Sequence, residues 1–265
     1  MARELRCRDM RTTVAQAIVA VAVLGASLLA YPPGGGAAAR PPSLAQAAAR
    51  TAAQPSLAFD LTAQIETAGK LPYVLNARGA LGRDGSHVTM KVADLHLPDG
   101  RVLTGPSAVE QTDGTFLYLR STVTAPLTGG LWIRERLNAL RAGSPELQIL
   151  RALSPRALLQ VLARAHDLRR ADGGRVYHGW LPYADPVVSR TLAGLEAGTQ
   201  YRHLRLTTWV SPQGRVLMVL LSGMTPDRSS TFLLTLTLGG FGKPVAVTPP
   251  RQGSFVDFDL GRLSE

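Results

Sequence analysis

From Ser56 onward, apolar and polar residues alternate one by one. Leu57, Phe59, Leu61, Ala63 and Ile65 fall on one side, and Ala58, Asp60, Thr62, Gln64 and Glu66 on the other. A period of two marks a strand with one face on a core and the other in water. Tyr73, Leu75, Ala77 and Leu81 continue it, then Val88, Met90 and Val92, then Phe116 to Leu119. Asp84-Gly85, Asp99-Gly100 and Asp113-Gly114 separate these runs, and Asp-Gly is favoured in tight hairpins because both residues tolerate positive φ. The first half of the chain therefore predicts an antiparallel meander.

In the middle the period changes. Ser144-Pro145, Ser154-Pro155 and Asp185-Pro186 each set a capping residue before a proline at the first helical position. After Pro155, the residues Leu158, Val161, Leu162, Ala165 and Leu168 share a helical face, with Arg156, Gln160, Arg164 and Asp167 opposite. The stretch 43–54 predicts a short Ala-rich helix or a linker, and 175–183 a strand between two helices. Strands are predicted again over 199–210, 215–223, 231–238 and 244–248, with Ser211-Pro212-Gln213-Gly214 turning the first into the second. In the third of these, Phe232, Leu234, Leu236 and Leu238 alternate with Thr231, Leu233, Thr235 and Thr237. No repeat of fixed period runs through the chain. Strands, then helices, then strands predict one α+β domain in which helices cover one face of a large curved antiparallel sheet.

The first 40 residues follow neither pattern. Arg3, Arg6, Arg8 and Arg11 precede a charge-free apolar run from Thr12 to Tyr31, and Pro32-Pro33-Gly34-Gly35-Gly36 ends it. Ala37-Ala38-Ala39 offers a cleavage site, with Ala45-Gln46-Ala47 a second, less well placed. The segment reads as an export signal, cleaved near Ala39 or kept as an anchor, since the run is about long enough to span a bilayer. Arginines ahead of it hold the N-terminus in the cytoplasm and place the rest outside. The chain thus divides into a signal peptide or signal anchor at 1–40, a linker or short helix at 41–54, and a single domain at 55–265. Cys7 lies before the apolar run, on the wrong side for a lipidated cysteine. As the only cysteine of 265 residues, it excludes an intramolecular disulfide framework and a cysteine zinc cluster.

With 29 basic and 19 acidic residues the formal charge is +10, which on its own points to nucleic acid or anionic membrane. Lysine stands only at 70, 91 and 243, and an excess of Arg with Ala, Gly and Pro is what a GC-rich genome produces. The segment 1–40 holds five Arg against Glu4 and Asp9, so +3 of the charge leaves with it. The eight arginines at 134, 136, 141, 151, 156, 164, 169 and 170 face only Glu135, Glu146 and Asp167, placing +5 of the remaining +7 on the segment predicted to be helical. An exported protein meets little nucleic acid. A solvated helix face, or contact with anionic lipid headgroups, is the expectation.

Catalytic chemistry is sparse. His87, His96, His166, His178 and His203 show no metal-ligand spacing, and neither H-E-x-x-H, C-x-x-C nor G-x-S-x-G occurs. Gly239-Gly240-Phe241-Gly242-Lys243 has Pro244 where a phosphate loop needs Ser or Thr, so a Gly-rich hairpin turn is expected. Asp257 and Asp259 share a strand face, expected to be solvent-exposed, and Trp132, Trp180 and Trp209 are expected to pack in the core or at its rim. No cofactor, no metal and no enzymatic activity are expected. A curved sheet with so many inward aliphatics either fills with side chains or encloses an apolar cavity.

The C-terminal half carries a resemblance. A Val-Tyr-x-Gly strand (176–179), a Trp-Val-x-x-x-Gly-Arg-Val hairpin (209–216) and Gly-Lys-Pro-Val-x-Val-x-x-Pro (242–250) resemble the LppX/LprG-type lipoproteins of actinobacteria. The element order over about 55–260 agrees with that likeness. The resemblance implies a LolA/LolB-like half-barrel closed by helices around a hydrophobic cavity, and non-enzymatic carriage of acyl chains or lipidated cargo outside the cytoplasmic membrane. The lipobox cysteine of that family is missing here.

An exported lipid-binding or lipid-carrier protein is therefore expected, secreted or held at the cell membrane by its N-terminal segment, and monomeric. Its partners would be a lipid or acylated ligand and an anionic membrane surface, with no nucleic acid. Leu57, Phe59, Leu61, Ile65, Leu75, Met90, Val92, Phe232, Leu234 and Leu236 are the candidate concave wall. Leu158 and Leu162 are candidates for the underside of a helical lid, with Arg151, Arg156 and Arg164 near headgroups. The alternative is a membrane-anchored extracytoplasmic sensor or protein-interaction module of the same fold.

Overall fold

The structure, a computed structural model, describes residues 41–83, 85–96, 101–138, 154–193 and 201–257. The expected export segment, the expected helix after Pro145, Arg151 and Asp259 lie outside the described residues.

The helices are α1 (Leu44–Ala52), α2 (Ala125–Thr128), α3 (Pro155–Val161) and α4 (Pro186–Leu192). The first meander comprises β1 (Leu57–Thr67), β2 (Tyr73–Leu81), β3 (Ser86–Val92), the short pair β4 (Leu95–His96) and β5 (Val102–Leu103), then β6 (Ser107–Thr112), β7 (Phe116–Ser121) and β8 (Trp132–Arg136). The second comprises β9 (His166–Ala171), β10 (Val176–Pro182), β11 (His203–Val210), β12 (Val216–Met224) and β13 (Ser230–Gly239), followed by β14 (Phe255–Asp257). Twelve strands join in one open sheet of order β14-β8-β7-β6-β3-β2-β1-β13-β12-β11-β10-β9. Every pairing is antiparallel except β14 with β8. This is the α+β arrangement expected, an unclosed, almost wholly antiparallel sheet with its helices packed on one face.

Register explains the shared face. β1 pairs with β13 so that Phe59 faces Leu238, Leu61 faces Leu236, Ala63 faces Leu234 and Ile65 faces Phe232. β12 adds Val219 and Leu221 beside Leu236 and Leu234. One slip would turn each of these rows into water, so burial of the face holds the register. Gly79, opposite Phe59 in register, has no Cβ to collide with the β3 backbone or with that ring, where an added Cβ would sit 2.4 Å from the His87 carbonyl.

Buried side chains of α1, α3 and α4 join the inner-face residues of β1, β13 and β12 in one core. α1 begins at a capping box, in which Ser43 Oγ accepts from the Gln46 amide at 3.2 Å and Gln46 Oε1 from the Ser43 amide at 2.9 Å. It packs on α3 and β12, and it is a core element, not a linker: Leu44, Ala47 and Thr51 are fully buried. Thr51 Oγ1 donates to the Ala47 carbonyl at 2.7 Å and accepts from the Val216 amide at 2.8 Å, tying helix to sheet. α4 starts at Asp185, whose carboxylate accepts from the Val187 and Val188 amides at 2.8 and 3.3 Å. Ser154 precedes Pro155 as expected but makes no side-chain cap.

Three expectations are corrected. The segment 132–170 is not one helical stretch: Trp132–Arg136 and His166–Ala171 are strands, with α3 and a 3-10 turn (Leu162–Arg164) between them in the described chain. Arg134, Arg136, Arg169 and Arg170 therefore lie on strands, and Leu168 leaves the α3 face for an exposed position on β9. Finally, 244–248 forms no strand. Pro244 brings no amide to a ladder and follows a turn with Gly240 and Gly242 at positive φ, so 239–243 is not a hairpin.

Candidate functional site

The ten candidate wall residues all belong to the inner face, but they divide into two groups. Leu57, Phe59, Leu61, Phe232, Leu234 and Leu236 are 0–3% exposed and sit in one cluster with Leu44, Leu158, Leu159 and Leu162 from the helices. Here the concavity is filled by the protein's own side chains, and close contact leaves little surface for any other molecule. Leu75 is buried as well. Ile65, Met90 and Val92 are only partly buried against the same cluster. The less filled part of the face therefore runs from the end of β1 across β3 towards β6 and β7, where Ala108 and Leu119 are half-buried too.

Of the lid candidates, Leu158 and Leu162 point into the core. Arg156 turns back into the protein: its Nη2 donates to the Gln54 carbonyl at 3.3 Å, joining α3 to the chain just after α1, and its buried Nε has no hydrogen-bond partner. Arg164 stays exposed, 3.9 Å from the Asp185 carboxylate, a spacing and setting worth little in water.

One polar side chain on the inner face escaped the sequence reading. Glu110, in the middle of β6, faces Val88 on β3 and Leu119 on β7 in register. It is 7% exposed and has no hydrogen-bond or ion-pair partner among the described residues. Burial alone pushes its carboxyl from the ordinary 4.5 up to about 7, because a charge among aliphatic neighbours loses hydration and gains nothing back. Two positions along, Thr112 Oγ1 and Ser86 Oγ share a hydrogen bond of 2.8 Å. Glu135, opposite Leu117 on β8, is a second buried carboxylate of this face. The window SAVEQT reads as polar in sequence. The available signal was its two-residue phase, which sets Ala108, Glu110 and Thr112 together.

The outer face answers the other sequence candidates. Asp257 accepts a two-point ion pair from Arg134 Nε and Nη2 at 2.6 and 2.9 Å, which holds its carboxyl below the ordinary range. Arg134 also lies over Phe116 and Phe255 at 4.8 and 4.1 Å, and Arg120 over Trp132 at 4.8 Å. Trp180 is exposed and Trp132 and Trp209 half-buried, so none joins the main core. The His166 and His203 rings come within 6.0 Å, a proximity that sequence spacing does not show. Among the described residues, no three His, Cys, Asp or Glu side chains are grouped to hold a metal ion, and no helix is long and apolar enough to cross a membrane.

No family model and no curated protein matches the chain. Several solved structures are similar to it, three of which follow. A DUF1329 family protein from Desulfovibrio piger has 11% identity and a TM-score of 0.32, with 77% of this chain and 92% of that one covered. A putative outer membrane lipoprotein-sorting protein domain from Vibrio parahaemolyticus has 9% identity and a TM-score of 0.30, with the same coverages of 77% and 92%. A LolA superfamily protein from Nitrosomonas europaea has 11% identity and a TM-score of 0.27, with 77% and 96% covered. Likenesses of this size carry no argument about ligand or activity.

Proposed function

We propose that the protein is an exported, non-enzymatic lipid carrier, similar in architecture to the LppX/LprG-type lipoproteins, which holds acyl chains or acylated cargo on the inner face of its sheet and acts as a monomer. The observation that carries this reading is the division of the inner face. A continuous aliphatic surface starts in a filled core under α1, α3 and α4 and runs on into the partly accessible Ile65, Met90 and Val92. Acyl chains need apolar area and little else, at about 0.8 kcal/mol per buried CH₂. The exposed Arg164, with Arg169 and Arg170 on β9, supplies positive charge for contact with an anionic membrane surface, apart from the acyl-binding part of the face.

Photolabelling of the exported protein with a diazirine-bearing fatty acid tests the reading. Saturable labelling of peptides containing Ile65, Met90 or Val92 is expected. Labelling that does not saturate, or that falls on the outer face, contradicts it.

The alternative, a membrane-anchored sensor or interaction module, is favoured by one feature. β9 is an edge strand exposed along its whole length, and such an edge can accept a partner's strand. N-terminal sequencing of the exported form separates the two readings. A start near residue 40 accords with the carrier, and an intact Met1 with the anchored module.

A further inference from the structure

Glu110 has no structural task that the fold requires. Among the described residues it pairs with nothing, it lies among aliphatic side chains, and a residue such as Leu or Gln would occupy the position at lower cost. The strands packed against β6 are β3 and β7. From β3 the inner face brings Ser86, Val88 and Met90 to it, and from β7 Leu117, Leu119 and Ser121. β6 itself brings Ala108 and Thr112. None of these side chains is charged. His87 and Gln111, bonded to each other at 3.0 Å, are on the opposite face. Among the described residues, the titratable side chain next met along the inner face is Glu135, one strand beyond β7. An isolated carboxyl beside a Ser–Thr hydroxyl pair thus interrupts an apolar surface at its less filled end.

We propose that Glu110, with the Ser86–Thr112 pair beside it, receives the polar head of the bound amphiphile and favours an uncharged, hydroxyl-bearing head over a carboxylate one. This rests on the carrier reading above and specifies its ligand class. A hydroxyl donates to Glu110 when the group is ionised and accepts from it when it is protonated, so no net charge has to enter the apolar surroundings in either state beyond the one already there. A carboxylate head can be accepted only by the protonated form, and ionised Glu110 repels it. An amine head would require a cation and an anion to be desolvated together, which offsets most of their attraction.

The test is a competition between probes of one chain length on the exported protein: pyrene-dodecanol, pyrene-dodecanoic acid and pyrene-dodecylamine, with Kd measured from about pH 5.5 to about pH 8.5. The ratio of acid Kd to alcohol Kd is expected to rise about tenfold or more across this range in the wild type. In Glu110→Gln, which keeps the volume and the hydrogen-bonding capacity, the ratio should change by less than about twofold. A ratio that stays flat in the wild type, the same rise in the variant, or tightest binding of the amine would each overturn the inference while leaving the carrier reading in place. Failure of all three probes to bind the wild type would overturn both.

Discussion

A carboxyl that stays partly protonated near neutral pH must also cost the fold stability, and the cost can be measured without any ligand. Glu110 has an ordinary value of 4.5, which the unfolded chain restores, and about 7 in the folded protein. Between those values the native state holds a proton that the unfolded state has released. Stability is therefore complete below about pH 4.5, declines as pH rises, and levels off above about pH 7. The gap corresponds to about 3 kcal/mol at about 1.4 kcal/mol per pH unit, an upper figure because burial is relieved by small rearrangements. Glu110→Gln removes the titration and nothing else on this face. Urea denaturation followed by tryptophan fluorescence at a series of pH values should show the variant more stable than the wild type by up to about 3 kcal/mol at pH 8. That is roughly 6–12 °C in Tm for a domain of this size. Near pH 4.5 the two should be close to equal. Parallel stability curves for wild type and variant across the range would refute the placement of Glu110 in an unpaired, desolvated site. A gain in stability on removing a polar side chain is also the usual sign that the residue is kept for function.

Three further outcomes follow from the packing. Thr51→Val leaves the Val216 amide buried without its acceptor and should cost about 1–3 kcal/mol in urea denaturation, with α1 losing hydrogen-exchange protection first. Thr208→Val removes a buried hydroxyl that has no hydrogen-bond partner, and should raise stability by about 1 kcal/mol by the same assay. Leu234→Ala, in the filled part of the inner face, should cost about 2–5 kcal/mol. Met90→Ala, in the less filled part, should cost less than this and weaken acyl-probe binding instead.

The strands were legible in sequence wherever one face is buried and the other wet. β1 and β13 show clean alternation, and their pairing follows from it. β9 was not legible because all six of its residues are exposed. An edge strand with no buried face has no period, and its arginines blended into the helical pattern before it. β8 is five residues long, and of its two inward residues, Ile133 and Glu135, only Ile133 is apolar, so Arg134, Glu135 and Arg136 mask it by composition. Among the candidate site residues, the inward direction of the aliphatic row could be read because burial leaves a periodic trace. Whether each wall residue meets a helix or open space could not, since that depends on which helix lies above it. Glu110 shows the converse. Charge in a short polar window suggests solvent, and only the register with Val88 and Leu119 turns it inward.

Native mass spectrometry of the protein as exported and purified without detergent tests the central claim most directly. The account predicts a second charge-state series, heavier than the polypeptide by the mass of one acyl lipid, which disappears on delipidation and returns when lipid is added back. A single series at the polypeptide mass, unchanged after incubation with acyl lipids, would contradict it.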